Sequence, residues 1–102
     1  MKKIINGQWF EWDDNKAEIN KRKHGIRFET AAKVFEDENR KVRLDSEHSD
    51  EYEERWQTIG MVGSVLFVVY TERAESTRLI MARKASTKER REYYDSEEIY
   101  QF

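Results

Sequence analysis

Val65-Leu66-Phe67-Val68-Val69-Tyr70-Thr71 is a continuous run of β-branched, aliphatic and aromatic residues, and it predicts a central strand covered on both faces. Working outward, Arg55 to Met61 predicts a strand before it, with turn chemistry from Gly60 to Ser64, and Arg78 to Ala85 a strand after it. Further upstream, Val42 and Leu44 alternate with Lys41, Arg43 and Asp45, the period of a strand with one buried face. The short connections around residues 65–71 suit hairpins and leave no room for a crossover helix, so the four strands are expected as an antiparallel meander. Helix signals flank them. Asp13 or Asp14 caps a segment from Asn15 to His24, stopped by Gly25. Phe28, Ala31, Ala32 and Phe35 repeat at the helical period in a second segment that closes at Glu36 to Asn39. Ser86-Thr87-Lys88-Glu89 is a capping box that opens a third. The expected fold is α+β: two N-terminal helices, a four-stranded antiparallel sheet and a C-terminal helix. Two helices cover one face of such a sheet, so the other is expected to stay open to water or a ligand. The apolar tail Ile99, Tyr100 and Phe102 has no assigned place.

Composition narrows the function. The chain has 102 residues, 37% hydrophobic and 39% charged, with a net charge of −2, so one domain over residues 1–102 is expected. Aromatic residues at 13% supply the bulk that a disordered chain lacks. The absence of Cys excludes disulfides, thiolate catalysis and Cys-based zinc sites, and two histidines leave metal chemistry poorly supplied, so neither cofactor nor metal is expected. No run approaches the length needed to cross a bilayer, and Met1 to Ile5 meets Asn6-Gly7-Gln8 before a leader-type core develops, which points to the cytoplasm. A sequence pI near 5.8 is wrong for coating nucleic acid through bulk charge, so any such contact must be local. Charge is segregated: basic at Lys21-Arg22-Lys23, Arg40-Lys41 and Arg83 to Arg91, acidic from Asp45 to Glu54. Solvated faces and an acidic loop account for this layout unless the fold gathers the cations.

A resemblance takes the reading further. Phe10-Glu11-Trp12-Asp13, Lys16-Ala17, Asn20, Lys23-His24-Gly25, Phe28-Glu29, Ala31 and Val34-Phe35 resemble the opening of the BrnT family of bacterial toxins. Asp45, His48-Ser49, Glu54-Arg55, Ile59-Gly60, Val68 to Arg73, Arg78, Ile80, Ala82 to Ala85, Glu89-Arg90 and Tyr93 resemble its remaining blocks, in order. The chain departs from the family pattern at Arg27, Glu38 and Met81, of which Met81 stands nearest the expected site. The resemblance implies a RelE-like ribonuclease toxin of a type II toxin-antitoxin pair. It also implies neutralisation by a BrnA-type ribbon-helix-helix antitoxin that itself binds operator DNA, two toxins per antitoxin dimer, and no membrane partner. The alternative is a decayed toxin that serves as an antitoxin-binding corepressor or nucleic-acid-binding module.

Cleavage of RNA without a metal uses the substrate's own 2'-hydroxyl as nucleophile. It needs a base, cations for the phosphorane charge and an acid for the leaving oxygen. Arg83 is expected on one strand face with Leu79, Met81 and Ala85, opposite Ile80 and Ala82, where an unpaired cation is costly. Arg55 on the second strand frames a phosphate with it; the competing reading for both is pairing with a nearby carboxylate such as Glu54 or Glu89. His24 either moves protons or caps the last carbonyls of its helix. Glu89 is a capping partner, a base, or both. Lys23 is a phosphate contact or a solvated neighbour of His24, Arg90 is a substrate contact, and Tyr93 joins Arg90 to engage phosphate and stack on a base, with Tyr94 in the core. Trp9, Trp12 and Trp56 are assigned to packing or the antitoxin surface. His48 lies in the acidic loop and is read as structural or exposed.

Overall fold

The computed structural model describes residues 1–95, so the tail at Ile99, Tyr100 and Phe102 lies outside the described residues. The elements are β1 (Lys2–Ile5), β2 (Gln8–Glu11), α1 (Asp14–His24), α2 (Phe28–Ala32), a 3₁₀ turn (Lys33–Glu36), β3 (Lys41–Leu44), β4 (Arg55–Val62), β5 (Ser64–Glu72), β6 (Thr77–Lys84) and α3 (Thr87–Asp95). They build one six-stranded sheet in the order β1-β2-β6-β5-β4-β3. The expected meander is there as β3 to β6, paired antiparallel throughout. The expected four-stranded antiparallel sheet behind two N-terminal helices is not: strands come first, and the sheet is mixed.

The physical reason is Asn6-Gly7. Both residues take positive φ, 50° and 80°, which a two-residue hairpin turn demands, and they register Ile5 opposite Gln8. Read only as an interruption of a possible leader, the pair concealed a hairpin. β2 then lies parallel to β6 through Phe10–Thr77 and Glu11–Arg78. Glu11 secures that seam, accepting from Ser76 Oγ at 2.6 Å and from Arg78 Nη1 at 3.1 Å.

The helices α1 and α2 cover one face over a core that includes Phe10, Trp12, Phe28, Val34, Leu66 and Val68. Asp13 caps α1 and Gly25 ends it in the left-handed conformation, as expected. Beyond Arg78, β6 has no strand partner on the β2 side among the described residues, and α1 supplies a substitute. The buried amide of Asn20 donates to Ala82 O at 2.9 Å and to Ile26 O at 2.9 Å, and accepts from Ala82 N at 3.1 Å. Gly60 lets the 3₁₀ turn seat on β4, because a Cβ there would stand 2.4 Å from Val34 Cγ2. Trp12 is buried, Trp56 packs half-buried on this core, and Trp9 is exposed.

The opposite face is left open only in part, which narrows the expectation. The helix α3 lands on it, and Tyr93 joins Ile59, Val65, Phe67, Val69 and Ala85 in a second core. A register irregularity reassigns side chains along β6. Val69 pairs with Met81 but Tyr70 with Leu79, so Ile80 is an extra residue. Leu79 and Ala82 therefore belong to the first core, whereas Ile80 and Met81 pack against the second. Leu79 thus does not share a face with Arg83, as strict alternation had suggested.

Candidate active site

The helix α3 covers only part of its face. Beside it lies a cavity of about 250 Å³ lined by Arg55 and Gln57 of β4, Phe67 and Val69 of β5, and Ile80 and Met81 of β6. The loop after β3 adds Asp45 and His48 to the rim. The floor is apolar and the rim polar, a combination that suits a nucleobase below and a phosphate above. Arg55 is about one-third exposed, with Nε 3.7 Å from Glu53 Oε1, an open contact that a phosphate can displace. Arg43 of β3 bridges the sheet to α3, donating to Gln57 Oε1 at 2.7 Å and to Glu92 Oε2 at 2.8 Å.

Arg83 lies over the Phe67 ring, its guanidinium carbon 4.1 Å from the centroid, so it borders the same floor. Its fork meets Glu89 at 2.7 and 2.9 Å, and Nη1 also reaches Lys84 O at 3.2 Å. A guanidinium carries five donors, so this arrangement orients it without exhausting it. Glu89 is also the capping partner: it accepts from Ser86 N at 2.8 Å, while its own N donates to Ser86 Oγ at 3.1 Å. Burial pushes the Glu89 carboxyl up, but the Arg83 fork and the Ser86 donors outweigh it and hold the group below the ordinary carboxylate value. Such a carboxylate is a weak base.

The other sequence candidates disperse. Lys23 and His24 line a separate cavity of about 190 Å³ with Lys16 and Ile19, against the outer side of Ile80 and Met81. The bulge is therefore a ridge between the His24 cavity and the Arg55 cavity. Arg90 is exposed and bonds back to the start of its own helix, at Ala85 O and Thr87 Oγ1, both 3.4 Å. Tyr93 and Tyr94 exchange the expected places. Tyr93 is buried and donates its hydroxyl to Asp37 Oδ2 at 2.5 Å, whereas Tyr94 is 59% exposed. Asp37 also accepts from Met61 N at 2.7 Å, so it ties α3 to β4.

The sequence reading passed over one arrangement. Asp45 is buried, and both its carboxylate oxygens stand 3.0 Å from His48 Nδ1. Burial pushes the Asp45 carboxyl up, while the hydrogen bonds from His48 and Gln57 outweigh it and hold it low. The Asp-x-x-His spacing was visible, but its place in an acidic run disguised it. Among the described residues, no three His, Cys, Asp or Glu side chains gather as a metal site. None of the described helices is long and apolar enough to cross a membrane.

The sequence profile described as "Ribonuclease toxin, BrnT, of type II toxin-antitoxin system" matches residues 12–89, well over half the chain. The chain belongs to the BrnT family. This is the family that the residue blocks resemble, and membership in a type II system implies an antitoxin partner. Among solved structures, the chain is similar to the crystal structure of the Brucella abortus ribonuclease toxin BrnT. The identity is 22% and the TM-score 0.58, over 76% of this chain and 96% of that one, which shows a shared fold. No curated protein sequence matches the chain.

Proposed function

We propose that this BrnT-family chain cleaves RNA without a metal ion, by in-line attack of the ribose 2'-hydroxyl on the adjacent phosphate, and so halts translation and growth. The observation that carries the reading is a cavity whose lining joins Arg55 to Phe67, the ring over which the Arg83 guanidinium lies. Arg55 takes the scissile phosphate and Arg83, oriented by Glu89, shares the charge that grows on its oxygens. A base lies on Phe67 and Val69. Lys23 and His24, across the ridge, contact the RNA strand beyond the cut. Tyr93 acts through the fold, holding α3 on Asp37.

The antitoxin is of the BrnA type and covers the same cavity with acidic and apolar residues, because Arg55 above an apolar floor offers that complementarity. Its dimer carries two toxins and holds operator DNA through its own positive charge, in the cytoplasm. Purified chain incubated with RNA in excess chelator tests the chemistry. The expected products end in 2',3'-cyclic phosphate and 5'-hydroxyl. Cleavage that returns only with Mg²⁺ and leaves 3'-hydroxyl ends contradicts it.

A further inference from the structure

We propose that His48 is the proton acceptor of this site and that Asp45 positions it. The inference rests on the RNA-cleavage reading above and deepens it. Neither group named from sequence for proton transfer is well placed: Glu89 is committed to Arg83 and to its helix cap, and His24 stands across the Ile80–Met81 ridge from Arg55.

His48 lies on the rim of the Arg55 cavity with its side chain 62% exposed. Its Nδ1 faces both oxygens of the Asp45 carboxylate at 3.0 Å. In the neutral ring that contact keeps the proton on Nδ1 and leaves the accepting lone pair on Nε2. The mounting is rigid, because Asp45 N donates to Arg55 O at 2.8 Å and Ser49 Oγ donates to Asp45 O at 2.7 Å. Arg55 N in turn donates to Ser49 Oγ at 2.8 Å. The base and the phosphate-binding cation are thus anchored in one hydrogen-bonded unit.

A purely structural role accounts for less. The loop is closed by backbone groups and the Ser49 hydroxyl, none of which uses the imidazole. Yet the chain buries a carboxylate, at the cost of its hydration, between Gln57 and a ring that is itself exposed. That expenditure makes sense where ring orientation matters.

In the reaction, Nε2 accepts the 2'-hydroxyl proton as O2' bonds to phosphorus and the bond from phosphorus to O5' breaks. The leaving 5'-oxygen takes a proton from water, and His48 returns its own to water. No further reactant is needed.

The test uses the full chain and a synthetic RNA under single-turnover conditions. His48→Ala is expected to lower the cleavage rate about 100-fold or more under conditions where the variant is folded, since a positioned acid or base contributes on that scale. Added imidazole is expected to restore part of the loss in His48→Ala and none in Arg55→Ala. Asp45→Asn is expected to lower kcat about 10-fold or more with little change in KM, the mark of a misoriented base. His48→Asn serves as the second variant for fold integrity. His48→Ala and His48→Asn both cleaving like the parent chain overturn this inference alone. A parent that cleaves no RNA overturns it together with the function on which it rests.

Discussion

Arg83 and Glu89 face each other where β6 gives way to α3, joined by two hydrogen bonds of 2.7 and 2.9 Å, with the guanidinium lying over Phe67. One carboxylate therefore does two things: it starts α3 through the Ser86 capping box and it aims a cation along the cavity floor. Glu89→Gln separates them, because an amide still caps but carries no charge. The expected loss in urea unfolding is about 1.5–3 kcal/mol, the range for a hydrogen bond to a charged group. Arg83→Lys is expected to cleave RNA well below the parent rate, since an ammonium lacks the fork; parent-like cleavage by that variant contradicts the role given to Arg83.

Tyr93 tests the placement of α3. Tyr93→Phe removes the hydroxyl donor to Asp37 and is expected to cost about 1.5–3 kcal/mol of stability. RNA cleavage under conditions where the variant is folded is expected to remain near the parent rate. A stable Tyr93→Phe protein with abolished cleavage would place the phenol at the phosphate instead.

Acid stability follows from three carboxylates. In Glu89, Asp37 and Asp45, burial pushes the carboxyl up, but donors outweigh it: Arg83 for Glu89, Tyr93 and Met61 N for Asp37, His48 for Asp45. Each binds its proton less readily folded than unfolded. Their stabilisation is complete above the ordinary values, 4.5 for Glu89 and 3.8 for the aspartates, and is lost as pH falls through the lower folded values. Urea midpoints measured downward from neutrality should hold until that range and then drop. A midpoint that rises on acidification through it contradicts the three pairings.

Asn20 is the residue whose loss should hurt the fold most for its size. Asn20→Ala removes two donors and an acceptor from buried backbone at Ile26 and Ala82. Leaving these groups unpaired should cost more than about 2 kcal/mol, read from chemical denaturation. A change under about half a kcal/mol, the usual range for surface substitutions, would show that α1 does not seal the β6 edge.

Much of this was legible. The run from Val65 to Thr71 and its neighbours set the meander because their period is unambiguous, and the Asp13, Gly25 and Ser86–Glu89 signals placed helix ends to within a residue or two. The hairpin at Asn6-Gly7 was legible too, yet it was weighed only against a leader. Ile80 carries no mark of a bulge: Leu79-Ile80-Met81-Ala82 reads as any apolar strand until its partners on β5 are known. The exchange of Tyr93 and Tyr94 turns on one helical step, decided by Asp37 more than fifty positions away. Of the candidates named from sequence, the structure puts Arg55 on the cavity and joins Arg83 to Glu89, while the Asp45–His48 contact could not be read from spacing because it depends on the burial of Asp45.

Antitoxin binding should respond to the same cation. If the proposed BrnA-type antitoxin covers the cavity with acidic residues, Arg55→Glu is expected to weaken the complex about 10-fold or more, because like charges then meet. A titration that gives unchanged affinity contradicts occlusion of the cavity.

The most direct measurement is the single-turnover cleavage rate of a defined RNA by Arg55→Ala against the parent chain, in chelator. Arg55 makes an exposed contact with Glu53, so its removal should leave the unfolding midpoint in place. The account predicts a fall of about 100- to 1,000-fold, the cost of losing one donor to the transition-state charge. A folded Arg55→Ala protein that cleaves at the parent rate contradicts it.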